Sequence, residues 1–250
     1  MFGSTRPMQS PIDSLAPPPK PRPWKADEVL RGLEQLEAPA DPELRERARR
    51  SLWDDVTSEY DARFLSAYVR RLPLELSPRF RAAERAWASE ERAHFEGFLR
   101  IYAQLFGAER AAQLELRTPD FAPLAHLFED EITLLVLCAY DELATVRGFS
   151  ANLALYDELG APIGRYVRRV IADEAWHYRA FLSVLQQEHG ERMAEARAAL
   201  ERVCAAEGTT YACTFVLDHD GDEIWSENEH IYEDARRSLL GQLRDPAWRK

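Results

Sequence analysis

Two helical stretches of this chain each hold a glutamate followed three residues later by a histidine, and each of these two pairs is preceded at the same distance by another glutamate. The first set is Glu59, Glu91 and His94; the second is Glu142, Glu174 and His177. Both intervals between the leading glutamate and the pair, 59 to 91 and 142 to 174, are 32 residues, and the second set repeats the first 83 residues on. On a helix, Glu-x-x-His puts a carboxylate and an imidazole one turn apart on one face. Thirty-two residues fit a helix hairpin whose first arm offers one carboxylate and whose second offers a carboxylate and an imidazole. Two such hairpins packed together bring four carboxylates and two imidazoles to one point, as in metal-holding four-helix bundles. The pattern predicts an all-α four-helix bundle with additional terminal helices.

The repeated spacing carries this reading, because a single pair does not. With 27 glutamates and six histidines in 250 residues, chance supplies roughly 0.6 Glu-x-x-His pairs. A third pair, Glu227-x-x-His230, also has a glutamate 32 residues earlier, Glu195, but an extended stretch is expected between them over 208–223, so no helix hairpin joins them and the pair reads as a surface coincidence. Glu142 lies two residues beyond the apolar run Ile132–Tyr140, where a carboxylate has little structural purpose of its own. Glu59 has a competing reading, since Arg63 could form an ordinary i,i+4 ion pair with it and Asp55 lies one turn away.

Composition limits the alternatives. Few glycines (11) and many Ala, Leu, Glu and Arg residues favour helix throughout. A formal net charge of −11 argues against nucleic acid as a partner. The run 132–140 is too short to span a bilayer, and the first residues lack a basic start and apolar block, so a membrane location is not expected and a cytoplasmic one is. Three scattered cysteines, Cys138, Cys204 and Cys213, form no disulfide framework and suit a reducing compartment.

In chain order, residues 1–23 are a Pro-rich tail in which disorder or polyproline II structure is expected. Residues 24–38 read as a short amphipathic helix. Asp41-Pro42, Ser77-Pro78, Thr118-Pro119 and Ala161-Pro162 are helix starts. They predict four long helices, ending near Leu72, Gly107, Gly160 and Gly190. A short helical connector covers 108–116, and Gly148 lies inside the third long helix. A further helix is expected over 191–206. The bundle domain is thus 24–207, and 208–250 is a C-terminal extension with an extended stretch over 208–223 and a helix from about 223 to 243. The turn Asp218–Asp222 is acidic, but its glycine is misplaced for a calcium loop.

The charge count favours two divalent ions. Four carboxylates bring −4 and two Fe²⁺ bring +4, so the loaded site is neutral, whereas four buried carboxylates alone would repel one another. Oxygen-rich ligation with one imidazole per metal suits Fe²⁺ or Mn²⁺ better than structural zinc.

Over residues 53–190, Trp87-x-x-Glu90-Glu91-x-x-His94, Glu142-x-x-Thr145 and Ala172-Asp173-Glu174-x-x-His177 resemble the motifs of soluble acyl-(acyl-carrier-protein) desaturases, in the ferritin-like di-iron oxidase superfamily. The resemblance implies that Glu59, Glu91 and His94 serve mainly one iron and Glu142, Glu174 and His177 the other, with some glutamates bridging. It also implies that Thr145 assists proton delivery beside the oxygen-binding face, for which a hydroxyl bonded back to a helix carbonyl is the structural alternative. Asp173 would hydrogen-bond a ligand histidine across the bundle, and the internal symmetry extends that role to Glu90.

The activity so implied is that of an O₂-dependent di-iron oxidase introducing a double bond or hydroxyl into an acyl chain. Acyl-carrier protein would be its partner, a ferredoxin-type protein its electron donor, and a homodimer its assembly. Arg165, Arg168 and Arg169 form a basic patch that could meet an acidic carrier protein, or simply a solvated face. Trp87, Phe98, Tyr140, Phe149 and Trp176 could line an apolar pocket or belong to the core. Three alternatives remain: oxygenation of a small biosynthetic substrate, including N-oxygenation; iron storage by ferroxidase activity; and a metal-free helical interaction protein, which would leave inward glutamates unpaired.

Overall fold

The computed structural model describes residues 23–209, 211–212, 216–217 and 230–243. The chain enters through a single turn, α1 (Ala26–Val29), and a 3₁₀ turn, Leu33–Gln35. Gly32 between them has φ +92°, and this left-handed residue breaks the continuous helix expected over 24–38. Leu30 and Leu33 are nonetheless buried, so the segment lies as a strap against the bundle.

Four long helices follow: α2 (Pro42–Val69), α3 (Pro78–Phe106), α4 (Glu131–Glu158) and α5 (Ala161–His189). Their lengths are 28, 29, 28 and 29 residues, about 42 Å each at the usual rise. Local chemistry sets their starts. The Asp41 side chain accepts from the Glu43 amide at 3.2 Å and Ser77 Oγ accepts from the Phe80 amide at 3.1 Å, each followed by proline. Gly107, at φ +88°, ends α3. The equal 32-residue intervals arise from unlike turns, residues 70–77 in one hairpin and 159–160 in the other.

The start of α4 corrects the sequence expectation of a helix from Thr118-Pro119. Residues Glu109–Leu116 and Ala122–Leu127 are 3₁₀ turns, and α4 begins at Glu131. Asp130, extended at φ −151° and ψ 162°, takes the capping position and accepts from the Thr133 amide at 2.8 Å. The preceding stretch packs across the end of α2, with Tyr68 against Phe121 and Phe128 at ring centroid distances of 5.0 and 5.1 Å. Burial of those rings wins over continuation of the helix.

A short 3₁₀ turn (Gly190–Arg192) separates α5 from α6 (Met193–Ala205), and α7 (His230–Gln242) closes the described chain. Both pack on α4, and Arg236 of α7 pairs with Glu201 of α6 at 2.9 Å. The apolar run of α4 is therefore that of a central helix, with Leu134 to Leu137 fully buried. Gly148 is buried in the same helix. No helix among the described residues is long and apolar enough to cross a membrane. The described residues of the expected extended stretch form no strand. The rest of that stretch, the acidic turn Asp218–Asp222, Glu227 and residues 1–22 lie outside the described residues.

The core divides into two apolar clusters. One holds Leu65, Trp87, Tyr140 and Phe181; the other holds Val56, Phe98, Phe149 and Val170. Each long helix thus contributes to both. Between these apolar contributions lie Glu59 on α2, Glu91 and His94 on α3, Glu142 on α4, and Glu174 and His177 on α5. The duplicated pattern therefore forms a polar layer across the middle of an apolar interior.

Candidate metal centre

All six residues of the pattern are buried: Glu59, Glu91, Glu142 and Glu174 are at most 6 % exposed, and His94 and His177 are 0 % exposed. They form two overlapping donor sets. Glu59, Glu91, His94 and Glu174 are one; Glu91, Glu142, Glu174 and His177 are the other; within each, one donor atom per residue lies within 4.8 Å of all the rest. These buried groups could hold metal ions. Glu91 and Glu174 belong to both sets.

The two imidazoles are oriented alike. His94 Nδ1 faces inward, 3.1 Å from Glu174 and 3.6 Å from Glu59. His177 Nδ1 faces inward as well, 2.7 Å from Glu174, 3.2 Å from Glu142 and 3.3 Å from Glu91. Each Nε2 turns away toward a carboxylate on the other Glu-x-x-His helix. His94 Nε2 lies 3.4 Å from Asp173 Oδ2, and His177 Nε2 lies 2.8 Å from Glu90 Oε2. Asp173 and Glu90 thus stand where the sequence reading expected them. A carboxylate behind an imidazole favours the tautomer that leaves the inward nitrogen free to ligate.

Four buried atoms of this layer, Glu59 Oε2, Glu91 Oε1, His94 Nδ1 and Glu174 Oε1, make no well-directed hydrogen bond among the described residues, although His94 Nδ1 and Glu174 Oε1 lie close together. Buried polar atoms are rarely left so, and these four all belong to the first donor set. A cation would satisfy them together, so donor chemistry and geometry both fit a metal.

The electrostatics point the same way. Burial pushes the Glu59 carboxyl above its ordinary range, and burial together with the Glu174 charge pushes Glu91 and Glu142 well above theirs. Burial alone would raise Glu174 too, but His94 and His177 outweigh it and hold that carboxyl low. Burial opposes charge on the imidazoles, yet the surrounding carboxylates win and raise His94 strongly and His177 to about 10. Without a cation, protons do the neutralising.

The alternative for Glu59 is not realised: Arg63 donates to Tyr60 and lies over the Tyr60 ring, 3.6 Å from its centre. Thr145 is half-buried one turn beyond Glu142, and its hydroxyl makes no bond back to a helix carbonyl among the described residues. The suggested pocket aromatics sit mainly in the two clusters. Trp87 packs on Phe181 and Phe98 stacks on Phe149, while Tyr140 donates to Glu207 at 2.8 Å. Trp176 packs edge-on against His177, with ring centroids 5.9 Å apart. The basic patch on α5 is largely engaged. Arg165 donates to the carbonyls of Val29 and Arg31, Arg168 pairs with Asp157 at 2.6 Å, and Arg169 is exposed.

One residue of the site escaped the sequence reading. Trp24 Nε1 donates to Asp173 Oδ2 at 2.9 Å, and its indole stacks on the His94 ring with centroids 6.2 Å apart. A tryptophan directly after a Pro-rich stretch is the only local signal, and it says nothing of a partner 149 residues away.

Comparison with known proteins gives no match: no family model matches the chain, and no curated protein or solved structure matches it.

Proposed function

We propose that this protein is an O₂-dependent di-iron oxidase, acting on an acyl chain in the manner of the acyl-carrier-protein desaturases its motifs resemble. The observation that carries the reading is the pair of overlapping donor sets sharing Glu91 and Glu174. A single-metal site does not need two imidazoles facing four carboxylates; two divalent ions balance the four negative charges. Glu59 and His94 would hold one ion and Glu142 and His177 the other, with Glu91 and Glu174, common to both donor sets, contributing to both. The chemistry such a pair supplies is activation of O₂ for removal of hydrogen from an unactivated C–H bond.

The chain's own part is holding and shielding. Asp173 and Glu90 fix the imidazole orientations through Nε2. The two apolar clusters on either side of the polar layer keep water from it. Thr145, a turn beyond Glu142, offers a hydroxyl that can hold or pass a proton beside the site. A ferredoxin-type protein would supply electrons.

A second reading, oxygenation of a small biosynthetic molecule, is favoured by the engagement of Arg165 and Arg168 within the chain. That leaves fewer free cations on α5 for an acidic carrier protein.

Anaerobic titration with Fe²⁺ tests the site. About two irons per chain are expected, with both lost in Glu91→Ala or Glu174→Ala and one retained in Glu59→Ala or Glu142→Ala. Absence of uptake would overturn the di-iron reading. Oxygen consumption stimulated by acyl-loaded carrier protein supports the acyl substrate; stimulation by small amines alone supports the second reading.

A further inference from the structure

The two imidazoles are held from behind in different ways. His177 has Glu90 at 2.8 Å. His94 has Asp173 at 3.4 Å, and the same Asp173 oxygen accepts from Trp24 Nε1 at 2.9 Å. The Trp24 ring lies nearly parallel to the His94 ring, at an interplanar angle of 13°. It also meets Tyr166 edge-on, with centroids 5.5 Å apart, and the Tyr166 hydroxyl donates to the His94 carbonyl at 2.8 Å. On the His94 side, one indole therefore touches the imidazole, its carboxylate and the tyrosine that holds its backbone.

Trp24 is brought there by the N-terminal strap. Leu30 and Leu33 anchor residues 23–36 in the apolar cluster that contains Ile163 and Tyr166. Asp27 pairs with Arg100 of α3, the Leu36 carbonyl accepts from Gln104 of α3 at 3.0 Å, and the Arg31 carbonyl accepts from Arg165 of α5 at 3.1 Å. The strap is thus tied to the two helices that carry the Glu-x-x-His pairs.

We propose that Trp24 is a positioning residue for the His94 half of the site, so that metal affinity in that half alone depends on docking of the N-terminal strap. This rests on the two-metal reading above. The indole N–H fixes Asp173 Oδ2, and Oδ2 orients the imidazole through Nε2, leaving Nδ1 aimed at the ion. Loss of such an outer partner typically weakens metal binding about 10- to 100-fold. The linkage is reciprocal: if the docked strap strengthens that ion, the ion stabilises the docked strap.

Titration of the full chain with Co²⁺, followed by visible absorption, tests the proposal. Trp24→Phe keeps an aromatic ring and removes the donor; it should weaken one of two equivalents about 10- to 100-fold and leave the other within about twofold. Glu90→Gln should weaken the other equivalent. Asp173→Asn should weaken the same equivalent as Trp24→Phe, and the double variant should be little worse than Asp173→Asn alone, since both act through one contact. Metal should also slow tryptic cleavage after Lys25 and Arg31 in the wild type and do so much less in Trp24→Phe. Equal weakening of both equivalents, or unchanged binding in Trp24→Phe, overturns the positioning role. Failure of the wild type to bind Co²⁺ or Fe²⁺ at all instead overturns the two-metal reading on which it stands.

Discussion

Tyr166 of α5 fills the space that a side chain on residue 97 of α3 would need. A Cβ at Gly97 would run into the phenol oxygen and ring of Tyr166, whose hydroxyl donates to the carbonyl of His94. The glycine is therefore explained by a close approach of two helices, not by an unusual backbone, and that approach is part of what holds His94 in place.

Gly97→Ala should consequently destabilise the fold. The phenol cannot simply retreat, because Phe98 and Trp24 pack edge-on against it at centroid distances of 5.2 and 5.5 Å. Overpacking of this kind costs about 1–3 kcal/mol, whereas Tyr166→Phe, which deletes only a hydrogen bond, should cost about 0.5–1.5 kcal/mol. Urea unfolding of the two variants checks the order. A Gly97→Ala protein as stable as the wild type would show that the two helices tolerate a wider spacing.

Metal should stabilise the protein more at alkaline than at acidic pH. Glu59, Glu91, Glu142, His94 and His177 all hold their protons more tightly in the folded, metal-free chain than their ordinary values allow. Groups shifted upward contribute stability that is complete below their unfolded values. It is lost as pH rises through the folded ones, for His177 up to about 10. Glu174 is shifted downward and works the opposite way, its contribution being lost as pH falls. Five groups against one make the cluster's net contribution decline with rising pH. A metal must displace those protons, so its affinity rises over the same range. Melting temperatures with chelator and with Mn²⁺ between pH 6 and 9 should therefore diverge as pH increases; a constant gap would contradict the assigned directions.

Removing Arg117 should be among the more damaging changes away from the polar layer. Asp61 of α2 is fully buried, and Arg117 Nε donates to its two oxygens at 2.9 and 2.8 Å. The pair ties the connector before α4 to α2. Burial raises the Asp61 carboxyl, and Arg117 pulls it back. In Arg117→Ala the carboxylate keeps its burial without that cation, which costs about 3–5 kcal/mol. Protonating Asp61 relieves the penalty, so the loss should be smaller at pH 5 than at pH 8. Asp61→Leu combined with Arg117→Met should recover most of the stability, measured by chemical denaturation. No recovery would mean that the pair acts through more than its charge.

The bundle was legible because its evidence is local or periodic. Asp41-Pro42 and Ser77-Pro78 announce helix starts through their own backbone chemistry, and both starts occur where expected. Glu91 with His94, and Glu174 with His177, need only helical geometry to share a face. The failures lie where a distant surface competes with local preference. Thr118-Pro119 is an acceptable helix start, yet burial of Phe121 and Phe128 against Tyr68 and the cap at Asp130 move α4 to Glu131. The amphipathic stretch 24–38 likewise yields to the left-handed turn at Gly32, which lets the strap follow the bundle surface.

The meeting of the six side chains was legible in the sequence, because each Glu-x-x-His pair needs only one helix turn and the repeated 32-residue interval fits a helix hairpin. The resemblance pointed to Asp173, and the internal symmetry of the repeat extended its role to Glu90. The packing of the helices places Glu91 and Glu174 in both donor sets, turns both Nδ1 atoms inward and engages Arg165 and Arg168 within the chain itself. It alone brought Trp24 to Asp173. Periodicity reports neighbours within a turn or two, whereas contacts between residues 149 apart depend on how the helices and the strap share one buried volume.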